Sequence, residues 1–190
     1  MNKVNLSIIV ISTLIILGVI NYSIWQKEAH LANGEIIYLE LAPVDPRSIM
    51  QGDYMTLTFK ISRQIRSAIL GQSMQPETED EQNWLDFSSP YYMHPQDGFV
   101  IVDIDENKRA EFSSLDDGMH TLSSKQQKLQ FRVREGQIKF ATNAFFFEEG
   151  DALLFDTAKY GELKVNEHGE VLLTGLLDEN LKKLGGEKYD

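Results

Sequence analysis

The feature that most restricts this chain is an uncharged, mainly apolar run of twenty residues, 6–25. As a helix, such a run crosses the ~30 Å hydrocarbon layer of a membrane, whereas about 10 to 14 apolar residues are more typical of a buried core helix. No small-x-small cleavage signal follows the run, which favours a retained anchor over a removed signal peptide. Tyr22 and Trp25 lie where aromatic side chains favour the membrane interface. Residues 6–25 are therefore predicted to contact membrane lipid.

The charges beside this run predict its orientation. Lys3 precedes it, whereas Lys27 and Glu28 cancel each other after it. The positive-inside rule then predicts a single pass through the cytoplasmic (inner) membrane, with the N-terminus inside and the C-terminal domain extracytoplasmic. We divide the chain accordingly into a cytoplasmic tip (1–5), a transmembrane anchor (6–25), a linker (26–34), an extracytoplasmic domain (35–177) and a flexible tail (178–190).

Composition limits what the domain outside the membrane can bind. The formal net charge is −11, and beyond residue 30 there are 16 basic against 28 acidic side chains. A surface this acidic is repelled by nucleic-acid phosphates and by anionic lipid head groups. The chain has no cysteine, which excludes disulfides and thiolate metal sites. The spacing Asp103-x-Asp105-x-Asn107 imitates a calcium loop, but Lys108 replaces the glycine that such a loop needs. We expect no nucleic-acid partner, no cofactor and no metal.

Alternating apolar residues predict a domain built mostly from antiparallel strands. Residues 36–41 and 54–61 alternate with period 2, and further alternation predicts hairpins turning at 105–108, 135–136 and 167–169. Helical spacing over 61–70, ended by Gly71, predicts one short helix. A second is predicted over 151–159 with Asp151 as its cap. The expected fold class is α+β and β-dominated, an N-terminal transmembrane helix followed by a single domain of hairpins with a few short helices.

A loop joins the first two predicted strands, and its prolines keep it out of helix and strand. Its charged residues allow two interpretations. They form a small binding site on a rigid loop, or the guanidinium of Arg47 bridges carboxylates and pins the loop, which is the commoner role of such clusters. The residues of this candidate binding loop are Asp45, Pro46, Arg47, Gly52, Asp53 and Tyr54.

The same loop carries a family resemblance. Asp45-Pro46-Arg47, followed by Gly52-Asp53-Tyr54-Met55-Thr56-Leu57-Thr58-Phe59, resembles the hallmark of the bacterial GDYXXLXY family, with Phe59 in place of the last tyrosine. Phe145-Phe146-Phe147-Glu148-Glu149-Gly150 resembles the family's second segment, and residues 165–173 resemble its closing strand pair. The resemblance implies a membrane anchor and, because members are often encoded beside multi-spanning membrane proteins, an integral membrane protein as partner. It implies no particular reaction.

Glu148 and Glu149 also allow two interpretations. They are candidate general acid–base groups, or they are acids at the start of a helix, where the helix dipole favours negative charge. No catalytic partner stands near them in the sequence, which favours the second. The loops 45–54 and 91–94 are the surfaces on which we expect a partner to bind.

One enzyme class resembles part of this pattern. Gly52-Asp53 leading into a strand resembles the end of the nucleophile segment of membrane-anchored serine proteases of the signal-peptidase type. Counting back eight residues from Gly52 places Val44 where the serine belongs, and Ser48 is offset by four. Such enzymes also need a lysine beside the serine, and alternation points the candidates Lys128 and Lys139 outward. We therefore expect a non-catalytic accessory or binding domain, with such a protease or a small-ligand-binding domain as alternatives.

Overall fold

The computed structural model of the chain describes residues 3–42, 54–71, 93–119, 121–142, 144–148 and 150–185. Two units are distinguished by their internal contacts, residues 1–34 and residues 35–190. The first unit contains the helix α1 (Lys3–Asn33). The second consists mostly of antiparallel strands, in sheets that include a curled half-barrel. The predicted β-dominated α+β class is confirmed.

Helix α1 is apolar on every side over most of its length. Every side chain from residue 7 to residue 28 is exposed, including eleven isoleucine, leucine and valine side chains that water would solvate poorly. The segment Ser7–Asn33 is long and apolar enough to span a membrane, as the sequence predicted. The helix continues unbroken through residues 26–33, which the sequence pattern assigned to a polar linker.

The described strands of the second unit form three sheets, and the strand pairs within each sheet are antiparallel. In chain order the strands are β1 (Glu35–Glu40), β2 (Tyr54–Thr56), β3 (Gln96–Ile104), β4 (Ala110–Leu115), β5 (Gln126–Arg134), β6 (Gln137–Lys139), β7 (Ala144–Phe146), β8 (Tyr160–Val165) and β9 (Val171–Leu177). The sheet orders are β1-β8-β9, β4-β3-β5-β6 and the two-stranded ribbon β2-β7. The three predicted hairpins are β3–β4, β5–β6 and β8–β9, and all three are confirmed.

Period-2 alternation correctly predicts which side chains form the core. The odd-numbered residues 37, 39, 41, 55, 57, 59 and 61 are all buried, whereas Tyr54, Thr56, Thr58 and Lys60 are exposed. Phe59 packs edge-to-face on Phe140, with ring centroids 5.8 Å apart. Burying one such side chain contributes roughly 1.5 to 3 kcal/mol to folding.

One of the two predicted helices of this unit forms. Helix α2 (Ile61–Leu70) ends at Gly71, whose φ of 68° is the left-handed conformation that glycine adopts without strain. The second prediction, a helix over 151–159 capped by Asp151, is wrong: the chain makes a single 3-10 turn (Ala152–Phe155), and Asp151 makes no side-chain cap hydrogen bond. A longer helix cannot form because the amide of Lys159 already donates to the carbonyl of Leu177, at 2.7 Å.

The chain folds back on itself after β9. The amide of Leu184 donates to the carbonyl of Leu176 at 2.8 Å, and Lys183 forms a bridge with Leu177. Residues 183–185 therefore lie against β9, in a stretch that the sequence pattern assigned to a flexible tail. We call residues 183–185 the C-terminal strap.

Candidate functional site

Two segments that are far apart in the sequence meet in the ribbon β2–β7. Tyr54 lies opposite Phe146, Met55 opposite Phe145, and Thr56 opposite Ala144. Strand β2 continues the segment that begins with Gly52-Asp53, and β7 begins the segment that ends with Glu-Glu-Gly. Because the ribbon is antiparallel, the start of β2 and the end of β7 lie at the same end of it.

The two faces of this ribbon differ. On the outer face, the rings of Tyr54 and Phe146 lie 5.8 Å apart, and the side chains are 36% and 72% exposed. On the inner face, Met55 is buried and Phe145 packs against the core. Of the three consecutive phenylalanines, Phe145 and Phe147 pack against the core whereas Phe146 is exposed, since strand alternation turns its side chain away from Phe145.

A cleft of about 260 Å³ lies between β7, the 3-10 turn and the C-terminal strap. Its apolar wall contains Phe155, whose ring centroid is 5.1 Å from that of Phe145 and 5.4 Å from that of Phe147. Glu148 and Asp151 lie along the same cleft. We call it the aromatic cleft.

A half-buried carboxylate supports the wall formed by the strap. Lys183 Nζ donates to Glu162 Oε1 at 2.8 Å, and Thr174 Oγ1 donates to the same oxygen at 2.7 Å. Burial by itself raises the pKa of Glu162, but the hydrogen bonds from Lys183 and Thr174 outweigh it and hold this pKa below its ordinary value. Glu162 is thus an ionised anchor for the strap rather than a proton donor near neutral pH.

The structure describes two of the predicted site residues. Tyr54 is on the exposed face of the ribbon, and Glu148 is an exposed residue of the aromatic cleft, two positions after β7. The choice between a binding site and a pinned loop stays a prediction, and so does the role of the loop 91–94, in which Met93 is buried. The predicted site residues that lie outside the described residues are Asp45, Pro46, Arg47, Gly52, Asp53 and Glu149.

Lys128, one of the two lysines weighed for a serine–lysine dyad, has structural contacts. Lys128 Nζ lies 3.4 Å from Asp116 Oδ2 and 4.8 Å from the centroid of the Phe99 ring. A dyad lysine must instead reach a serine in a desolvated pocket. Val44 and Ser48, the two positions weighed for the nucleophile, lie outside the described residues.

The segment with the calcium-like spacing, Asp103-x-Asp105-x-Asn107, forms the turn between β3 and β4. The carboxylate of Asp105 accepts the backbone amides of Asn107 and Arg109, both at 2.8 Å, and Arg109 Nε at 2.7 Å. These bonds close the β3–β4 turn, in which Lys108 adopts a φ of 63°. Within the part of the chain that the structure describes, no group of three or more histidine, aspartate or glutamate side chains is arranged to hold a metal ion.

No local pattern in the sequence indicates the cluster formed by Glu162, Thr174 and Lys183. Thr174 and Lys183 stand 12 and 21 positions from Glu162, and only the β8–β9 pairing and the return of the strap bring them together. One local feature is consistent with the contact between the strap and β9: position 175 is a glycine, and an added Cβ there would lie 2.5 Å from Lys183 Cε.

Fold and site together define a β-dominated domain that follows an apolar helix long enough to span a membrane. A family model described as GDYXXLXY protein matches residues 16–176, which is most of the chain. The protein therefore belongs to the GDYXXLXY family, and the resemblance stated from its motifs is confirmed. The match includes both strands of the ribbon. Comparisons with curated proteins and with solved structures gave no match.

Proposed function

We propose that this protein is a membrane-anchored, extracytoplasmic accessory domain that binds an integral membrane protein. The observation that carries the proposal is the ribbon β2–β7, which brings both motif segments together and presents the exposed pair Tyr54 and Phe146. Exposed aromatic side chains supply large, rigid contact areas and are enriched where proteins bind each other. Tyr54 is 36% and Phe146 72% exposed, so both rings are accessible to a partner.

The anchor explains how a small contact suffices. A domain held at the membrane by α1 meets a partner in the same bilayer at a high effective concentration, so a weak contact is occupied. The placement of Lys3 before the span, with Lys27 and Glu28 cancelling after it, supports an N-terminus inside and a domain outside the cytoplasmic membrane.

The orientation has a direct test. The chain contains no cysteine, so a single Glu106→Cys substitution in the exposed β3–β4 turn introduces the one thiol of the protein. A maleimide that cannot cross the inner membrane is expected to label it before that membrane is broken. Labelling that requires lysis would place the domain in the cytoplasm and contradict the proposal.

Partner binding is tested by placing a photo-cross-linking amino acid at position 146 of the full-length chain in intact membranes. We expect one predominant adduct, with an integral membrane protein. The matched control is position 119, because Met119 is 88% exposed and follows β4 rather than lying on the ribbon. The same adducts at both positions, or none at 146 in a folded and anchored protein, would contradict the proposal.

The aromatic cleft favours a second candidate function, the binding of a small ligand. A serine protease of the signal-peptidase type is the enzymatic alternative, with Ser48 as the serine to test. Loss of a hydrolytic activity in a Ser48→Ala variant would favour the protease over both binding functions.

A further inference from the structure

We propose that helix α1 associates within the membrane with the α1 of a second copy of this chain, through a face that contains Gly18 and Asn21. The proposal goes beyond the partner proposed above, because that partner is assigned to the ribbon β2–β7 and the second copy to the anchor. It rests on two observations on α1: a side-chain amide whose hydrogen bonds its own helix supplies only in part, and a glycine that the packing of α1 does not require.

The amide is recognised by comparing polar side chains within the apolar run. The hydroxyls of Ser12 and Thr13 both donate to the carbonyl of Ile9, at 2.9 Å. Asn21 Nδ2 donates to the carbonyl of Leu17 at 2.8 Å, but among the described residues Asn21 Oδ1 accepts no hydrogen bond. A carboxamide has two donor hydrogens and one acceptor oxygen, and the hydrocarbon layer contains no water to pair with them. Half of the Asn21 amide group therefore needs a partner from outside its own helix.

The position of Asn21 places this amide inside the hydrocarbon layer. With residues 6–25 in that layer, Asn21 is four residues, or about 6 Å of helix rise, inside the end marked by Trp25. The hydrogen bond to Leu17 directs the amide back toward the middle of the span, away from that end. The missing partner is therefore supplied by another helix in the bilayer rather than by interfacial water.

Asn21 shares one face of α1 with Leu14, Gly18 and Trp25, because residues three, four and seven apart lie on the same side of a helix. All four are exposed. A Cβ added at Gly18 would meet no atom within 4 Å, so nothing in α1 itself requires a glycine there, although glycine is unfavourable inside a helix. A small residue at this point lets a second helix approach closely. We call these four residues the anchor seam.

The anchor seam fits a second copy because its polar group is self-complementary. Two copies cross the membrane in the same direction, so in a symmetric pair the two Asn21 amides lie at the same depth. Each amide then donates its remaining Nδ2 hydrogen to the Oδ1 of the other, and one contact satisfies both groups. The parts of the two chains outside the membrane repel each other, since beyond residue 30 each has 16 basic against 28 acidic side chains. Association of the copies therefore depends on α1.

The first test is disulfide cross-linking of the full-length chain in native membranes. The chain has no cysteine, so a single introduced cysteine that forms a dimer joins equivalent positions of two copies. Leu14→Cys lies in the anchor seam. Ile16→Cys is the matched control, because Ile16 is similarly exposed and about 200° further around the helix. We expect oxidation to produce about five-fold or more covalent dimer from Leu14→Cys than from Ile16→Cys.

The second test measures how tightly the copies associate. Full-length protein labelled with donor or acceptor dye at Glu106→Cys is reconstituted in phosphatidylcholine vesicles, and energy transfer is followed as the protein-to-lipid ratio changes. Asn21→Leu should weaken association about ten-fold, whereas Asn21→Gln keeps an amide and should stay within about three-fold of the unsubstituted α1. Ser12→Leu is the control, because Ser12 lies on the opposite face and bonds within its own helix; it should change association by less than about two-fold.

A third variant tests the close approach of the helices. Gly18→Leu favours the helix but separates the two backbones, and we expect it to weaken association about ten-fold or more. Stronger or equal association in this variant would mean that the helices do not meet at Gly18.

Four results would overturn the proposal. They are a monomer at every protein-to-lipid ratio, equal cross-linking at positions 14 and 16, an adduct at position 14 whose mass is not twice that of the chain, and unchanged association in Asn21→Leu. None of them depends on cross-linking at position 146. An anchored monomer that still forms the adduct at 146 would end this proposal and leave the partner proposal standing, and a dimer without that adduct would do the reverse.

Discussion

Tyr54 and Phe146 lie directly opposite each other in the β2–β7 ribbon, with ring centroids 5.8 Å apart and ring planes tilted by 42°. One residue belongs to the Gly-Asp-Tyr segment and the other to the phenylalanine segment, so the described parts of the two segments pair in one ribbon. Both side chains point away from the core. The pairing explains how segments about ninety positions apart can act together at one place on the protein.

The first prediction separates surface aromatic residues from core ones. Phe146→Ala removes a side chain that is 72% exposed, and we expect it to lower the free energy of unfolding by less than about 1 kcal/mol. Phe140→Ala removes a fully buried ring that packs on Phe59, and the loss should be about 3 to 5 kcal/mol. Chemical denaturation of both variants, followed by near-UV circular dichroism, measures the difference. Equal losses would show that Phe146 has a packing role.

The alternation of side chains predicted most of the fold because it reports burial directly. Every apolar position expected to face the core in β1 and in residues 55–61 does so. A different pattern, the helical spacing of the apolar residues 153, 154, 155 and 158, was misleading. Leu153 and Leu154 remain exposed, since the hydrogen bond from the amide of Lys159 to Leu177 in β9 limits this segment to one 3-10 turn. A long-range hydrogen bond outweighed a local preference there.

The site was less predictable than the fold. The sequence indicated Tyr54 and Glu148 through their motifs, and the structure places them on the ribbon and in the cleft beside it. It gave no indication that Phe155, Glu162 or Lys183 belongs to the same region. These residues meet through the return of the chain after β9, and no local pattern encodes such a contact.

The second prediction concerns two glycines that a side chain would crowd differently. At Gly161 an added Cβ would lie 2.9 Å from Phe59 Cε1 and 3.3 Å from Leu173 Cδ1, inside a packed core. Gly161→Ala should therefore lower the free energy of unfolding by about 1 to 3 kcal/mol. At Gly175 the nearest atom belongs to the end of the flexible Lys183 side chain, which can move away, so Gly175→Ala should cost less. Thermal unfolding of the two variants makes the comparison, and the reverse order would contradict it.

The third prediction assigns a structural role to Asp105. Asp105→Ala removes the acceptor of two backbone amides and of Arg109 Nε, and we expect a loss of roughly 1 kcal/mol together with faster hydrogen exchange in the β3–β4 turn. Asp105→Asn keeps an acceptor oxygen and should retain part of the stability. Added calcium should leave the melting temperature of the wild-type protein unchanged. A rise with calcium that disappears in Asp105→Ala would instead show a metal site at this turn.

The fourth prediction follows from the charge of Glu162. The pKa of Glu162 in the folded protein lies below its ordinary value of about 4.5, although burial opposes this, because Lys183 and Thr174 both donate to the carboxylate. The folded state therefore favours the ionised carboxylate more than the unfolded state does. The resulting contribution to the free energy of unfolding is present above pH 4.5 and is lost as the pH falls through the lowered pKa.

Glu162→Gln should accordingly be less stable than the wild-type protein at pH 7, and the difference should shrink as the pH falls below about 4.5. Unfolding measured from pH 3 to pH 7 tests this, with Glu106→Gln as the control, because Glu106 is an exposed residue of the β3–β4 turn. The control should follow the wild-type curve throughout. A difference between Glu162→Gln and wild type that stayed constant with pH would mean that the strap is held by the shape of the Glu162 cluster and not by its charge.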